Sequence, residues 1–143
     1  MELTGGCLCK AVRYRASEAP LLARSCWCRM CQYIGAGSST VNAMFNTSAL
    51  QVEGKLSEYC TVADSGNYMH WRFCPQCGTH VLATSERRPH LTVVRVGTLD
   101  NPELVRPGTT IWTSMAPSWA PIDPALPKEE RQPPPPVVNP GRP

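Results

Sequence analysis

Seven of the chain's eight cysteines fall into three short groups: Cys7-Leu8-Cys9, Cys26-Trp27-Cys28-Arg29-Met30-Cys31 and Cys74-Pro75-Gln76-Cys77. No other feature restricts the fold as tightly. Thiols one or two residues apart bridge badly to each other, because a disulfide fixes both its torsion and its Cα separation. The same spacing suits a metal ion that takes several thiolates. The 143 residues are one domain's worth of chain. The first twenty contain Glu2, Lys10, Arg13 and Arg15 and no apolar run of the secretory kind. No stretch has the length and apolarity of a membrane span. A cytoplasmic, metal-binding protein with no membrane partner is therefore expected.

The formal charge of +3 weakens under the same reading. Zinc-bound thiols are deprotonated, so seven thiolates with two zinc ions lower the charge by three, to about zero. Arg87-Arg88 is the one adjacent basic pair, which fits a solvated turn better than a phosphate grip. Nucleic acid is not an expected partner.

Short strands dominate the rest. Ala11-Val12-Arg13-Tyr14-Arg15 alternates, with Val12 and Tyr14 on one face. Leu50-Gln51-Val52-Glu53 and residues 56–62, joined through Gly54-Lys55, predict a hairpin, and Asp64-Ser65-Gly66-Asn67 a further turn. Residues 68–73 and 79–85 flank Cys74 and Cys77, which places that pair at the tip of a β-ribbon. Leu91-Thr92-Val93-Val94-Arg95-Val96 is rich in β-branched residues, and Thr109-Thr110-Ile111-Trp112-Thr113 supplies another strand. No window has a helical period beyond a single turn at residues 101–104. An all-β, or β-dominated, domain over residues 1–120 follows.

Ten of the fifteen prolines lie between Pro117 and Pro143, where they remove the backbone donors a sheet needs. Residues 121–143 read as a proline-rich strap and tail. Residues 117–127 are expected to lay Trp119 and Ile122 on the domain, and residues 128–143 to be extended and mobile. The run Pro133-Pro134-Pro135-Pro136 offers a polyproline ligand for a protein partner, although composition alone accounts for it.

Cys7-x-Cys9 puts two sulfurs on one side of a nearly extended backbone, with Gly5-Gly6 supplying freedom for a kink. In Cys74-Pro75-Gln76-Cys77-Gly78 a knuckle turn closes two thiolates on one ion, and Gly78 can take a positive φ. The two pairs complete one closed site of four thiolates. Cys26, Cys28 and Cys31 then supply three ligands and leave one position open, the arrangement of catalytic rather than structural zinc. A small thiol is its natural occupant. A second reading closes that site with Cys60, His70 or His80, and a third gives Cys28-x-x-Cys31 a redox role. Cys60 on its own reads as a buried apolar residue.

Gly5-Gly6-Cys7-Leu8-Cys9 with Val12-Arg13-Tyr14, then Cys26-x-Cys28-x-x-Cys31, Phe73-Cys74-x-x-Cys77-Gly78-Thr79, Gly97-Thr98-Leu99-Asp100, and Ile111-Trp112-Thr113 to Trp119 resembles the glutathione-dependent formaldehyde-activating enzyme family, which includes the centromere protein V domain. The resemblance implies an Mss4-like fold of coiled antiparallel β-sheets. It also implies a structural zinc on Cys7, Cys9, Cys74 and Cys77, and a second, more labile zinc on Cys26, Cys28 and Cys31. The implied activity joins formaldehyde to glutathione as S-(hydroxymethyl)glutathione, a carbon–sulfur lyase reaction in reverse. This chain has Trp27 where the family usually has His, Gln32 at a usually basic position, and Lys10 in place of a Gly.

With the second zinc as centre, Trp27, Arg29, His70, Arg72 and Trp112 are candidate substrate contacts. Arg29, Arg72 and His70 could hold carboxylates or move a proton, and Trp112 could wall a pocket. The competing class is a non-enzymatic zinc module that binds another protein.

Overall fold

Alternating side chains divide residues 2–136 into two β-sheets in the computed structural model. In chain order the elements are β1 (Leu3–Gly6), β2 (Arg13–Ala16), β3 (Leu22–Cys26), α1 (Arg29–Ile34), β4 (Thr40–Asn46), β5 (Leu50–Glu53), β6 (Ser57–Val62), β7 (Tyr68–Phe73), β8 (His80–Ser85), β9 (Leu91–Arg95) and β10 (Thr110–Ile111). A three-stranded sheet has the order β1-β2-β5, and a seven-stranded sheet the order β10-β3-β4-β9-β8-β7-β6. All pairings are antiparallel except that of β10 with β3. The β-dominated architecture matches the expectation from sequence.

One face of the large sheet is the core. Ala43 and Phe45 from β4, Leu82 from β8 and Val94 from β9 are buried together with Tyr14 and Ala16 of the small sheet and with Val12 just before β2. Residues two apart share a face, so the same strands present a second set to the other side. There Met44, Ala83 and Val93 line a pocket with Leu22 and Trp71. One sheet therefore carries the core on one face and the pocket on the other.

The anticipated hairpin over residues 50–62 does not form. β5 pairs with β2 in the small sheet, while β6 pairs with β7 in the large one. Gly54, at φ 96°, turns the chain from one sheet into the other, and a Cβ there would lie 2.2 Å from the Ala11 carbonyl oxygen. Both strands have turn residues between them, but neither finds its partner in the other.

Gly5 and Gly6 also act differently from expectation. They lie within β1 and supply space rather than a kink: a Cβ on Gly5 would come within 2.3 Å of the Tyr14 hydroxyl and 2.4 Å of the Thr98 carbonyl oxygen. That close approach lets Tyr14 Oη bond to Thr98 Oγ1 at 2.8 Å. Beside it, Arg13 Nη1 and Nη2 donate to the two oxygens of Asp100 at 2.9 and 2.5 Å, and Thr4 Oγ1 donates to Asp100 at 2.7 Å. Arg13 and then Thr4 hold the Asp100 carboxyl down to about 2. The Gly97-Thr98-Leu99-Asp100 segment is thus fastened to the small sheet.

The chain end is more ordered than its composition suggests. Thr110 N–H donates to Pro127 O at 3.0 Å, Glu129 N–H to Thr110 O at 2.9 Å, and Ser114 N–H to Glu130 O at 3.3 Å. These bonds lay residues 127–130 along β10, so the part of the expected mobile tail nearest the domain is paired. Ile122 packs against the cluster containing Trp27 and Ile111, whereas Trp119 is 69% exposed and is not laid down. Residues 137–143 of the anticipated tail lie outside the described residues.

Gly5→Ala is expected to cost about 1–3 kcal/mol through overpacking. Gly97→Ala, where an added Cβ meets nothing within 4 Å, should stay within about 0.5 kcal/mol of wild type. Urea unfolding midpoints of the two variants check the contrast.

Candidate metal centres

Two turns aim the first four sulfurs. Cys7 and Cys9 occupy the turn between β1 and β2, where Lys10 N–H donates to Cys7 O at 3.0 Å. Cys74 and Cys77 occupy the turn between β7 and β8, where Gly78 N–H donates to Cys74 O at 2.9 Å. The residue after each pair takes a positive φ, 67° at Lys10 and 74° at Gly78. Glycine adopts that conformation freely, while a lysine there carries a penalty of roughly 1–2 kcal/mol. Backbone amides point at the sulfurs: Val12 N–H at Cys7 Sγ, 3.2 Å, and Gln76 N–H at Cys74 Sγ, 3.4 Å. Thr79 joins the turns by accepting from Leu8 N–H at 3.2 Å while its hydroxyl lies 3.1 Å from Cys77 Sγ.

The four ligand atoms lie within 4.8 Å of one another. Cys7 Sγ to Cys9 Sγ is 3.6 Å, and Cys9 Sγ to Cys74 Sγ is 3.8 Å. A tetrahedron with Zn–S bonds of about 2.3 Å has edges of about 3.8 Å, so the donor set fits that ion in both spacing and chemistry. Without a cation the sulfurs must share protons. The Thr79 hydroxyl, followed by backbone amides, holds Cys77 down to about 5. Cys9 is pushed up to about 12: the Ala11 amide pulls it down, but burial and the neighbouring sulfurs outweigh that pull. A dication removes this conflict by replacing the shared protons.

The second group is built by a strand and a helix start. Cys26 ends β3, Cys28 caps α1, and Cys31 lies in its first turn, with Cys31 N–H donating to Cys28 Sγ at 3.3 Å. These six residues, Arg29 to Ile34, carry no helical period that would mark the turn from sequence. A single turn that closes two thiols needs no amphipathic stripe, and Cys is an uncommon cap. Cys26, Cys28 and Cys31 are all buried, and their sulfurs lie within 4.8 Å of one another. Among the described residues, no further Cys, His, Asp or Glu joins the group. Hydrogen bonds from Cys26 and Cys28, helped by the charge of Arg95, hold Cys31 down to about 3. Cys26 is pushed upward by those same neighbours. Three converging sulfurs are a ligand set suited to a soft or borderline cation.

These thiols line the floor of the pocket on the large sheet. Arg24, Asn42 and Arg95 form one cross-strand row beside them, in register across β3, β4 and β9. Arg95 Nη1 donates to Asn42 Oδ1 at 2.6 Å, and its Nε is buried with no partner among the described residues. Leu22, Met44, Met69 and Trp71 form apolar walls. At the rim the turn after β6 reaches α1, where Arg29 N–H donates to Asp64 Oδ2 at 3.1 Å. Sequence reasoning missed Arg24 and Arg95. The available signals were Arg24-x-Cys26, which puts both side chains on one face, and a lone charge in the otherwise β-branched strand ending at Arg95.

The other anticipated contacts divide. Trp112 lines the pocket; it has φ 59°, and its Nε1–H donates to Gln132 Oε1 at 2.9 Å. Trp27 does not: at 2% exposure it is buried beside Ile111 and Trp112, in the same apolar cluster as the three cysteines. Arg29 extends over the Tyr33 ring, 5.2 Å from its centroid, and donates to Gln32 Oε1. Gln32 is buried and donates from Nε2 to the carbonyls of Trp27 at 2.8 Å and Met115 at 3.0 Å, which fixes the triplet's backbone to the turn after β10. His70 and Arg72 flank Trp71 in β7 and therefore face away from the pocket, towards Glu58. Cys60 lies beside His70 and is only partly buried, so it is not the core residue expected. His80 packs against the rings of Trp71 and Phe73 instead of meeting the triplet.

The sequence model of the family described as "Glutathione-dependent formaldehyde-activating enzyme" matches residues 2–115. A crystal structure of a Rhodobacter sphaeroides protein is similar at 26% identity and a TM-score of 0.56, covering 73% of this chain and 96% of that one. No curated protein matches the sequence. No described helix is long and apolar enough to cross a membrane.

Cys77→Ser and Cys28→Ser are each expected to lower bound zinc by about one equivalent, read by elemental analysis. Cys77→Ser should also lower the thermal midpoint by about 10 °C or more, because its ion clips two distant turns, whereas Cys28→Ser should shift it by only a few degrees. Equal thermal losses would contradict the division into a clip and an open site.

Proposed function

The chain belongs to the glutathione-dependent formaldehyde-activating enzyme family, and from that premise we propose that it is a zinc-dependent carbon–sulfur lyase-type enzyme acting on a thiol adduct such as S-(hydroxymethyl)glutathione. The observation that carries this reading is the buried triplet Cys26, Cys28 and Cys31 on the floor of a pocket, with no fourth side-chain ligand among the described residues. Cys7, Cys9, Cys74 and Cys77 hold the structural zinc, and the triplet holds the second. When bound there, zinc supplies a Lewis-acid charge that favours the thiolate form of a substrate thiol.

The chain's own residues do the rest. Leu22, Met44, Met69 and Trp71 exclude water from the reacting carbon, so the adduct is held apart from bulk solvent. Arg24 and Arg95 place positive charge on the same floor, where an oxygen of the adduct gains negative character as the carbon–sulfur bond forms. Asn42 holds the Arg95 guanidinium in position through Oδ1. In the joining direction the thiol sulfur bonds to the formaldehyde carbon, the carbonyl π bond opens, and the thiol proton ends on the oxygen. Cleavage reverses each change. Trp112 closes one side of the pocket, and its bond to Gln132 carries the chain end to the rim. Eight cysteines without disulfides suit a reducing compartment, in keeping with a cytoplasmic location.

Calorimetric titration of the zinc-loaded protein with glutathione and a panel of small thiols tests the proposal. Binding that depends on zinc and is abolished in Cys28→Ser is the expected result. If no thiol binds in a zinc-dependent way, the enzyme reading falls, leaving a zinc module whose partner meets another surface, such as the four-proline run.

A further inference from the structure

The residues that turned away from the pocket make a constellation of their own. Glu58 and Cys60 are two apart in β6 and share a face, and His70 of β7 is directly opposite Cys60 in the register. Cys60 Sγ lies 3.0 Å from Glu58 Oε1 and 3.2 Å from His70 Nδ1, and Glu58 Oε1 also meets His70 Nδ1. One ligand atom from each residue lies within 4.8 Å of the others. On the far side of the ring, His70 Nε2 is 3.1 Å from Glu86 Oε1. With no ion bound, carboxylates at both nitrogens, Glu58 foremost, favour the charged ring; a cation would take the place of the Nδ1 proton, while Glu86 keeps the proton on Nε2, as outer carboxylates do for metal-bound histidines. Three lone-pair-bearing atoms therefore face one point, which must be filled by a proton or a cation.

We infer that Glu58, Cys60 and His70 form a third cation site, separate from both cysteine groups, that takes a zinc-class divalent ion through oxygen, sulfur and nitrogen donors. The mixed donor set selects a borderline transition metal over magnesium or calcium, which prefer oxygen alone. Glu58 and Cys60 stand on the edge strand of the large sheet, so the site opens to solvent and exchanges its ion readily. Glu58 is exposed and free to move outward by the roughly 1 Å that brings its Oε1 from contact with His70 Nδ1 to the spacing of two ligands on one ion. Arg72 Nε, 3.8 Å from Glu58 Oε2, engages the other carboxylate oxygen and leaves Oε1 to the ion. Glu86 is a positioning residue.

The test is a zinc titration of the full chain with both cysteine groups already loaded, followed by the nitrogen resonances of its three histidine rings and by metal content after equilibrium dialysis. The expected result is one further equivalent of zinc and a large shift of His70 Nδ1, with Nε2 remaining protonated and His80 and His90 unmoved. Cys60→Ala and His70→Ala should each abolish that equivalent, Arg72→Ala should retain it, and Glu86→Gln should weaken it by about 10–100-fold. A His70 ring unmoved by zinc, or an uptake unchanged in both Cys60→Ala and His70→Ala, would overturn the inference.

Discussion

The convergence of Cys7 and Cys9 with Cys74 and Cys77 is the contact on which the rest of the molecule depends. Cys9 and Cys74 are separated by 65 positions in sequence, yet their sulfurs are 3.8 Å apart. Closing a segment of that length costs chain entropy once, and the cost grows only slowly with further length. The same contact fixes the turn after β1 against the turn after β7, and thereby the small sheet against the large one. With that frame set, the far face of the large sheet is free to carry polar and reactive groups that would be costly in a core.

Period-two alternation converts this frame into chemistry. Cys26 and Cys28 line the pocket while Trp27 between them is buried beside Ile111 behind it. Trp71 lines the pocket while His70 and Arg72 on either side face Glu58. Arg24, Asn42 and Arg95 fall in one row because β3, β4 and β9 are in antiparallel register. A one-residue slip in any of these strands would exchange the core and pocket sets. Gln32 guards the triplet against such a shift by holding two carbonyls, one beside the thiols and one in the turn after β10.

Much of this was legible from sequence, and the failures have physical causes. The knuckle at Cys74 to Cys77 was readable because Gly78 marks a positive φ that the structure places at 74°. The strand through Val12 and Tyr14 was readable because its apolar face is intact. β1 and β3 were not, since Leu-Thr-Gly-Gly and Leu-Ala-Arg-Ser-Cys are short and break the alternation that would reveal them. The strands on either side of Gly54 look like a hairpin but pair elsewhere, because local turn chemistry specifies a change of direction and not a partner. His70 and Arg72 were reasonable candidates by residue type, but which face of β7 meets the pocket depends on sheet curvature and pairing, which are tertiary properties. Arg24 and Arg95 were hidden for the opposite reason: charged residues in strands ordinarily face solvent, and here the face is the floor of a pocket.

Anomalous diffraction from crystals of the zinc-loaded protein, collected at the zinc absorption edge, tests the central claim most directly. Two strong peaks are predicted, one at the centre of the Cys7, Cys9, Cys74 and Cys77 sulfurs and one bonded to Cys26, Cys28 and Cys31 at the pocket floor. Disulfides among these seven cysteines, or a triplet without a peak beside a filled four-sulfur site, would contradict the account.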